Sequence, residues 1–304
     1  MTTIEARGLT KRFGTTVAVE GLTFDIRPGV VTGFLGPNGA GKSTTMRMIV
    51  GLDHPTAGSV LLDGRHYREL EQPMREVGAL LDARTAGKRT ARQHLRWLAD
   101  AGGLPRGRVG EVLEQVGLAE VAGRRVGGFS LGMAQRLGIA TALLGDPATL
   151  LLDEPMNGLD PEGIRWIRTL LQGFAAEGRT VVVSSHLMHE MEETAGHVLV
   201  IGRGRLIADT SIADFTQAAT GSDVHVRSPD AGALRDVLER AGAAVAPGDG
   251  GALVVTGLLA PRIGDLAAQH GLRVHELTPR RASLEAAFME LTRDSVDYRP
   301  GVAA

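Results

Sequence analysis

A glycine-rich stretch of nine residues constrains this chain more than any other part of its sequence. Its members are Gly36, Pro37, Asn38, Gly39, Ala40, Gly41, Lys42, Ser43 and Thr44, and we call them the phosphate loop. An apolar run typical of a buried strand, 30–35, precedes the loop, and a helix-compatible segment, 45–50, follows it. In this strand-turn-helix context, glycines let successive backbone N–H groups point inward and bind phosphate oxygens.

The polar residues of the loop predict a site for a nucleoside triphosphate. We expect Lys42 to reach the β- and γ-phosphates, Ser43 to ligate Mg²⁺ and Thr44 to bond a phosphate oxygen. The chain has only three lysines among 33 lysines and arginines, so a lysine here fits the need for a compact ammonium. A flexible turn before an ordinary helix is the alternative, and the combination of strand, spacing and Lys-Ser disfavours it.

Composition limits the classes of protein that this chain can represent. Its 304 residues allow one large and one small domain, and 43% of them are hydrophobic, as in ordinary globular proteins. The formal charge of −2 gives no sign of a general surface for nucleic acid or anionic membranes. Cysteine is absent, which excludes disulfides and thiolate sites and fits a cytoplasmic protein. No apolar run approaches the ~20 residues that span a bilayer, so we expect another chain to supply any membrane crossing.

Two carboxylates follow an apolar strand at 148–152. Asp153 and Glu154 are expected at the edge of a buried parallel sheet, where open α/β folds bind their ligands. The predicted roles are a Mg²⁺ ligand for Asp153 and polarisation of the attacking water for Glu154. The alternative is a strand that ends at a solvated acidic turn, which the nearby phosphate loop disfavours.

Two single residues at strand ends have two interpretations each. Residues 180–185 form a buried strand that delivers His186 to the same sheet edge, as a sensor of the γ-phosphate or as an ordinary capping histidine. Phe13 lies where a strand meets a turn, as a core aromatic or as a stacking platform for a nucleobase. The residues alone favour the interpretation of His186 as a γ-phosphate sensor and of Phe13 as a core aromatic.

Two predicted helix starts carry further candidates. Ser130 and Gly132 precede a helix, and they either cap it or contact a second phosphate; the residues alone do not decide. Asp160 and Pro161 are placed as N-cap and first residue of a helix over 162–176.

The order of patterns predicts an α/β fold, with a mixed sheet and a helical insertion, followed by a small α+β unit. The first domain is expected at 1–215, with the insertion at about 83–146, and the second at 220–304. Helical periodicity within the insertion covers 91–101, 109–116 and 134–144. The second domain reads as a split βαβ-like unit, for which we predict packing or interaction rather than catalysis. Its predicted elements are a strand at 222–227, a helix at 231–241, strands at 243–245 and 252–255, a helix at 261–270, a strand at 272–277 and a last helix at 282–292.

Taken in order, these motifs resemble the ATP-binding subunits of ABC transporters, over about residues 3–215. In the terms of that P-loop NTPase family, the phosphate loop is Walker A and 150–154 is Walker B. Residues 130–133, here called the signature segment, occupy the signature position together with Gln135 and Arg136. Phe13 is similar to the A-loop aromatic that stacks on adenine, Asp160 to the D-loop aspartate and His186 to the H-loop switch.

Two departures from the commonest motifs of the family indicate the branch that this chain resembles. The commonest signature is Leu-Ser-Gly-Gly-Gln, whereas this chain has Phe-Ser-Leu-Gly-Met. Asp82 stands at the Q-loop glutamine position and is expected to contact the metal. Both variants, together with the carboxy-terminal unit, resemble the drug- and antibiotic-exporter branch, in which the ATPase subunit is a separate chain that serves a membrane permease.

The resemblance implies a mechanism with ATP and Mg²⁺ as cofactors. Two ATPase subunits face each other head to tail, and each ATP lies between the Walker A loop of one and the signature of the other. Ser130 would then contact the γ-phosphate on the opposite subunit, with Gly132 and Asp160 beside it. The expected catalytic residues are Lys42, Glu154 and His186. The expected location is the cytoplasmic face of the membrane, held there by the permease.

Two other classes of protein compete with this interpretation. A soluble ABC-type ATPase acting on nucleic acid or ribosomes is disfavoured by the single cassette and the pI of about 6.5. Only 88 residues separate Lys42 from Ser130, which leaves no room for a long coiled-coil arm, so no nucleic-acid partner is expected. A regulatory cassette with little hydrolysis is disfavoured because the predicted catalytic residues are all present.

Overall fold

The computed structural model describes residues 2–81, 87–218 and 223–279. These residues divide into two compact units, the first ending at Ser211 and the second beginning at Ile212. Asp82 and the predicted last helix at 282–292 lie outside the described residues. None of the helices in these ranges combines the length and apolarity that crossing a bilayer requires.

The first unit alternates strands and helices. Its strands are β1 (Ile4–Phe13), β2 (Thr16–Ile26), β3 (Val31–Leu35), β4 (Ala57–Leu62), β5 (Val77–Leu80), β6 (Thr149–Asp153), β7 (Thr180–Ser185), β8 (His197–Gly202) and β9 (Arg205–Ser211). Its helices are α1 (Lys42–Ile49), α2 (Pro73–Glu76), α3 (Ala91–Ala101), α4 (Arg108–Gln115), α5 (Leu131–Leu143), α6 (Pro161–Ala176) and α7 (Met188–Thr194).

The strands form two sheets. The central sheet has the order β5-β6-β7-β3-β8-β9, with parallel pairing except for the antiparallel hairpin of β8 and β9. A smaller antiparallel sheet has the order β2-β1-β4. The predicted mixed α/β fold is therefore confirmed. Because β6, β7 and β3 are parallel neighbours, the residues that follow their carboxyl ends meet at one edge.

Burial on both faces explains the apolar runs of the central strands. Every residue of β3 and β7 is buried, as is every residue of β6 except Asp153 at its end. Helix α1 contributes Met46, Met48 and Ile49 to a core that also includes side chains of both sheets. Each such side chain contributes roughly 1.5–3 kcal/mol by leaving water.

The helical insertion begins with a capped helix. Thr90 and Gln93 form a reciprocal capping box at the start of α3, which has the predicted bounds. The predicted helix at 134–144 begins earlier, at Leu131, because the Ser130 hydroxyl caps its first turn. Helix α5 packs closely on β5, since a Cβ added at Gly138 would lie 2.6 Å from Leu80 Cδ1.

The second unit is a four-stranded antiparallel sheet with two helices that pack on it. Its elements are α8 (Ile212–Ala218), β10 (Val224–Arg227), α9 (Ala231–Arg240), β11 (Ala244–Pro247), β12 (Leu253–Thr256), α10 (Ala260–Gln269) and β13 (Glu276–Pro279). The strand order is β11-β12-β10-β13, which is that of a split βαβ unit. The last strand begins later than predicted, because the Asp230 carboxylate accepts from the backbone N–H and the guanidinium of Arg273.

Candidate active site

The phosphate loop connects β3 to α1, and its glycines are required by close backbone contacts. A Cβ added at Gly36 would lie 2.4 Å from the Ile201 carbonyl oxygen. Gly41 has a φ of +104°, and a Cβ there would lie 2.5 Å from the Ala18 carbonyl oxygen. Residues 37–44 line a cavity of about 200 Å³ together with Ala18 and Glu154. The loop thus forms a cradle at the positive end of α1, where an anion is stabilised.

Lys42 lies inside this cradle as a buried cation. Its side chain is 6% exposed, and Nζ donates to the carbonyl oxygens of Gly36 at 2.6 Å and Pro37 at 3.3 Å. Nζ is also 3.9 Å from Glu154 Oε1. Burial lowers the pKa of Lys42, while the negative charges of Glu154 and Asp153 oppose that change. The ammonium is therefore positioned at the cavity that the loop encloses.

Asp153 and Glu154 are joined through one hydroxyl of the neighbouring strand. Ser184 Oγ donates to Asp153 Oδ1 and accepts from the Glu154 backbone N–H at 3.0 Å. The Gln135 side-chain amide donates to the Glu154 carbonyl oxygen at 3.0 Å. Glu154 has a φ of +50°, an unfavourable conformation for a residue with a long side chain. The hydrogen bonds from both sides hold Glu154 in that conformation.

The Glu154 carboxylate faces two cationic or titratable groups. His186 Nδ1 is 3.0 Å from Oε2, and Lys42 Nζ lies on the Oε1 side. Burial is the main influence and raises the pKa of Glu154, against the lowering effects of His186 and Lys42. A carboxylate with a raised pKa is a better proton acceptor near neutral pH, as a general base requires.

The structure brings together the predicted residues that follow β3, β6 and β7. Asn38, Gly39, Ala40, Ser43 and Thr44 line the cavity with Lys42 and Glu154. Ser130, Gly132 and Asp160 are not among the lining residues of this cavity.

Ser130 and Asp160 act as helix caps within their own subunit. The Ser130 hydroxyl accepts from Met133 N–H at 3.3 Å, and the Asp160 carboxylate accepts from Gly163 N–H at 2.8 Å. The predicted N-cap role of Asp160 is confirmed. A Cβ added at Gly132 would lie 2.8 Å from the Gly158 carbonyl oxygen, so the signature segment lies directly against the turn that precedes Asp160. Contact of these residues with a phosphate stays a prediction.

Phe13 does not belong to the core. Its side chain is 51% exposed at the end of β1, and Lys11 Nζ lies 4.9 Å from the ring centroid. The interpretation of Phe13 as a core aromatic is therefore wrong. An exposed ring leaves room for stacking, so the role in nucleobase binding stays open.

Gln135 and Ser184 support Glu154, a role that the sequence indicates for neither, since it places Gln135 at the signature position and Ser184 only within a strand. Both are buried, at 5% and 0% exposure, and both bond to the backbone of Glu154. A serine that interrupts a valine strand just before its end was an available signal for Ser184. Gln135 had a weaker signal, a polar residue on the buried side of an apolar helix.

The donor atoms at the site are suited to magnesium. Among the described residues, no group of three or more histidines, aspartates or glutamates forms a metal site of its own. Mg²⁺ binds through one or two protein oxygens and completes its coordination with substrate phosphates and water. The Ser43 hydroxyl, on the phosphate loop, and the Asp153 carboxylate, at the end of β6, fit that requirement.

The sheet order and the glycine cradle place the first unit among the P-loop nucleoside triphosphatases. A family model described as ABC transporter matches residues 19–157, and a model described as a domain of unknown function matches 222–285.

Relatives and solved structures agree with this class. An uncharacterized ABC transporter ATP-binding protein of Bacillus subtilis, YhcH, is 35% identical over 97% of both chains. The bacitracin transport ATP-binding protein BcrA of Bacillus licheniformis is 41% identical over 68% of this chain and 69% of that one. The solved structure of an ATP-binding subunit of an ABC transporter has a TM-score of 0.64 and 26% identity, covering 71% of this chain and 92% of that one. The chain belongs to the family of ABC transporter ATP-binding proteins, whose cassettes bind and hydrolyse ATP.

Proposed function

We propose that this chain hydrolyses Mg²⁺-bound ATP and powers export of an antibiotic or another amphipathic compound through a separate permease. The observation that carries the proposal is the position of Glu154. Its carboxylate lies at the mouth of the phosphate cradle, with His186 at 3.0 Å and Lys42 at 3.9 Å. A base placed against a phosphate site suits hydrolysis rather than binding alone.

The phosphate loop binds the triphosphate in this proposal. Backbone N–H groups of 38–44 and the Lys42 ammonium neutralise the charge that develops on the transferred group. Thr44 bonds a phosphate oxygen. Bound Mg²⁺ would supply further charge neutralisation at the β- and γ-phosphates. Ser43 and Asp153 would hold it, and Asp82, outside the described residues, is a further candidate ligand.

Glu154 accepts the proton of the attacking water. The side chain is fixed by its backbone bonds to Ser184 and Gln135, so the carboxylate needs little reorganisation before reaction. His186 holds one carboxylate oxygen and leaves the other for the water or Lys42. Phe13 stacks on the base of the nucleotide.

A second copy completes the site in a head-to-tail dimer. The signature segment is exposed at Ser130, and its position outside the loop cavity supports a contact made with the ATP of another subunit. Gly132 and Asp160 would lie at the same contact. ATP closes this dimer and hydrolysis opens it. The closed and open dimers can each stabilise a different conformation of the permease.

The names of the relatives support the transport role. BcrA is described as a bacitracin transport protein, and SrtF of Streptococcus pyogenes, 35% identical over 68% of this chain, as a lantibiotic transport protein. We place this chain at the inner face of the membrane, bound to its permease and not to nucleic acid. Co-purification with a polytopic membrane protein from the native membrane tests this placement, whereas recovery with ribosomes or DNA contradicts it.

The replacement Glu154→Gln tests the catalytic role. The amide can hydrogen-bond the water but cannot accept its proton, so we expect turnover to fall about 10²–10⁴-fold while ATP affinity is kept. Phosphate release and nucleotide binding are measured on the same preparation. Glu120→Gln, at an exposed glutamate away from the site, is the matched control. Near-normal phosphate release by Glu154→Gln would show that another group is the base.

A further inference from the structure

Glu190 is a carboxylate that the fold buries and that the proposed mechanism does not use. It is 7% exposed and lies in the first turn of α7. Within the part of the chain that the structure describes, no ion pair joins it to a cation. Burying a carboxylate without such a pair is costly, so the contacts that it does make call for an explanation.

The Glu190 carboxylate binds the hydroxyl of Ser185, a residue that is itself 2% exposed. Ser185 Oγ donates to Glu190 Oε2 at 3.1 Å and accepts from the Leu187 backbone N–H at 2.9 Å. The Leu187 carbonyl oxygen, at 3.4 Å, is a competing acceptor for the same proton. A hydroxyl has one proton to donate, and the nearer, charged acceptor forms the stronger bond. Glu190 therefore fixes the direction of the hydroxyl.

His186 lies between the two residues that this hydroxyl connects. Strand β7 ends at Ser185 and α7 begins at Met188, so the chain passes from strand to helix within two residues. The His186 side chain is 37% exposed, and its Nδ1 lies 3.0 Å from Glu154 Oε2. Because packing constrains so exposed a ring only in part, its position depends on the backbone on either side. The bond from Ser185 to Leu187 constrains that backbone.

Helix α7, which carries Glu190, packs closely on the central sheet. Met191 is fully buried, and a Cβ added at Gly33 would lie 3.1 Å from its Sδ. Gly33 belongs to β3, the strand that leads into the phosphate loop. Thr194 Oγ1 also donates to the Glu190 carbonyl oxygen. The carboxylate that orients Ser185 is thus held in place by the same sheet that positions the candidate active site.

We propose that Glu190 is a positioning residue, which holds His186 against the Glu154 carboxylate through the Ser185 hydroxyl. The inference rests on the proposed hydrolysis of ATP, in which Glu154 accepts the proton of the attacking water. Glu190 and Ser185 are not among the residues that line the cavity of the phosphate loop, so they act through His186 rather than on the nucleotide. The alternative is a role in the folding of α7 alone, which predicts effects that do not depend on His186.

The substitution Glu190→Met removes the acceptor and approximately keeps the length of the side chain. We expect kcat for ATP hydrolysis to fall about tenfold with KM within about twofold, because His186 is displaced while the phosphate loop is unchanged. In the His186→Ala background, Glu190→Met should lower kcat by less than about twofold, since the residue that it positions is gone. Ser185→Ala should lower kcat like Glu190→Met. Glu190→Gln, whose amide oxygen still accepts, should stay within about threefold of the parent.

Glu193→Met is the matched control, since Glu193 lies on the same helix and its carboxylate pairs with Arg168. Its kcat should match the parent. An equal fall in kcat from Glu190→Met with and without His186 overturns the inference, although hydrolysis itself stands. Parent-like kcat in both Glu190→Met and Ser185→Ala overturns it as well. A loss in Glu190→Gln as large as that in Glu190→Met also overturns it.

A second measurement does not depend on turnover. In ¹⁵N NMR of the histidine rings, the His186 signal is assigned from its loss in His186→Ala. We expect this signal to change in Glu190→Met and to stay the same in Glu193→Met. An unchanged His186 signal in Glu190→Met overturns the inference. A parent chain that hydrolyses no ATP contradicts the proposed function, and the NMR comparison then decides the positioning role separately.

Discussion

The phosphate loop and the signature segment are both glycine-containing turns before a helix, yet their surroundings differ. In the loop, Lys42 is buried, and its ammonium is already paired with two carbonyl oxygens and Glu154. In the signature segment, Ser130 and Leu131 are exposed, and the serine hydroxyl only caps its own helix. The phosphate loop is thus preorganised as one half of a binding site, whereas the signature segment has its side chains directed to solvent.

This difference explains why two chemically similar turns need not share a ligand within one subunit. A preorganised cradle binds triphosphate with little loss of side-chain freedom. The exposed Ser130 cap can contribute to nucleotide binding only when another subunit brings its bound nucleotide to it. The comparison therefore predicts that substitutions in the phosphate loop change nucleotide binding by one subunit. Substitutions in the signature segment should instead change the association of two subunits.

The replacement Ser130→Asp should break the comparison most strongly. Aspartate keeps the N-cap, so the helix is retained, but it places a negative charge against the triphosphate of the other subunit. Like charges brought together cost several kcal/mol, so we expect turnover and ATP-driven dimerisation to fall about 100-fold or more. Monomer ATP affinity should not change. Measurements are sedimentation and phosphate release.

Ser130→Asn is the control, since it caps equally well without charge. A mixture of Ser130→Asp and Lys42→Ala chains adds a second readout. In an equimolar mixture about half of all dimers are heterodimers, and each heterodimer has one intact site of its two. About a quarter of wild-type turnover should therefore return. Wild-type behaviour of Ser130→Asp would mean that Ser130 is only a cap.

Phe13→Ala sharpens the comparison from the loop side. Stacking on a base is worth ~1–3 kcal/mol, so monomer ATP affinity should fall about tenfold, in contrast to Ser130→Asp. Phe13→Trp should retain it. Because stacking reads no base edge, GTP should support turnover within about tenfold of ATP. Titration of both nucleotides checks this, and an unchanged affinity of Phe13→Ala would remove the stacking role.

Gln135→Ala should have a smaller effect on turnover alone. The loss of one hydrogen bond to the Glu154 carbonyl, worth ~0.5–1.5 kcal/mol, should lower kcat about two- to tenfold by displacing the base. KM and dimerisation should be unchanged, although Gln135 lies on the helix of the signature segment. Gln172→Ala is the control, because Gln172 also donates to a backbone carbonyl, that of Glu193 at 3.0 Å, away from the site. An equal loss in both variants would indicate general destabilisation.

The smallest expected effect is a shift in the pH profile. Burial raises the pKa of Glu154, so acidification should protonate the base, and lower kcat, at a higher pH than for an exposed glutamate. His186 opposes that rise, so His186→Ala should move the acidic limb further upward. Profiles of kcat against pH for the wild-type chain and for His186→Ala measure this shift. A downward shift would show that His186 does not favour the ionised carboxylate.

Local sequence patterns determined the parts of the molecule that depend on neighbouring residues. Strand β7 and helix α3 have the predicted bounds, because a continuous apolar run and helical periodicity are both visible in a short window. The Asp160 cap follows equally from residue type and position.

Only the tertiary structure decided which distant groups meet. Ser184 and Gln135 lie 30 and 19 residues from Glu154, and they reach it because parallel pairing and helix packing bring them to one sheet edge. The exposure of Phe13 and the close approach of Gly132 to Gly158 depend on the same long-range placement. Periodicity records which face of an element is buried, but not which neighbour covers it, and that neighbour sets the chemistry of the site.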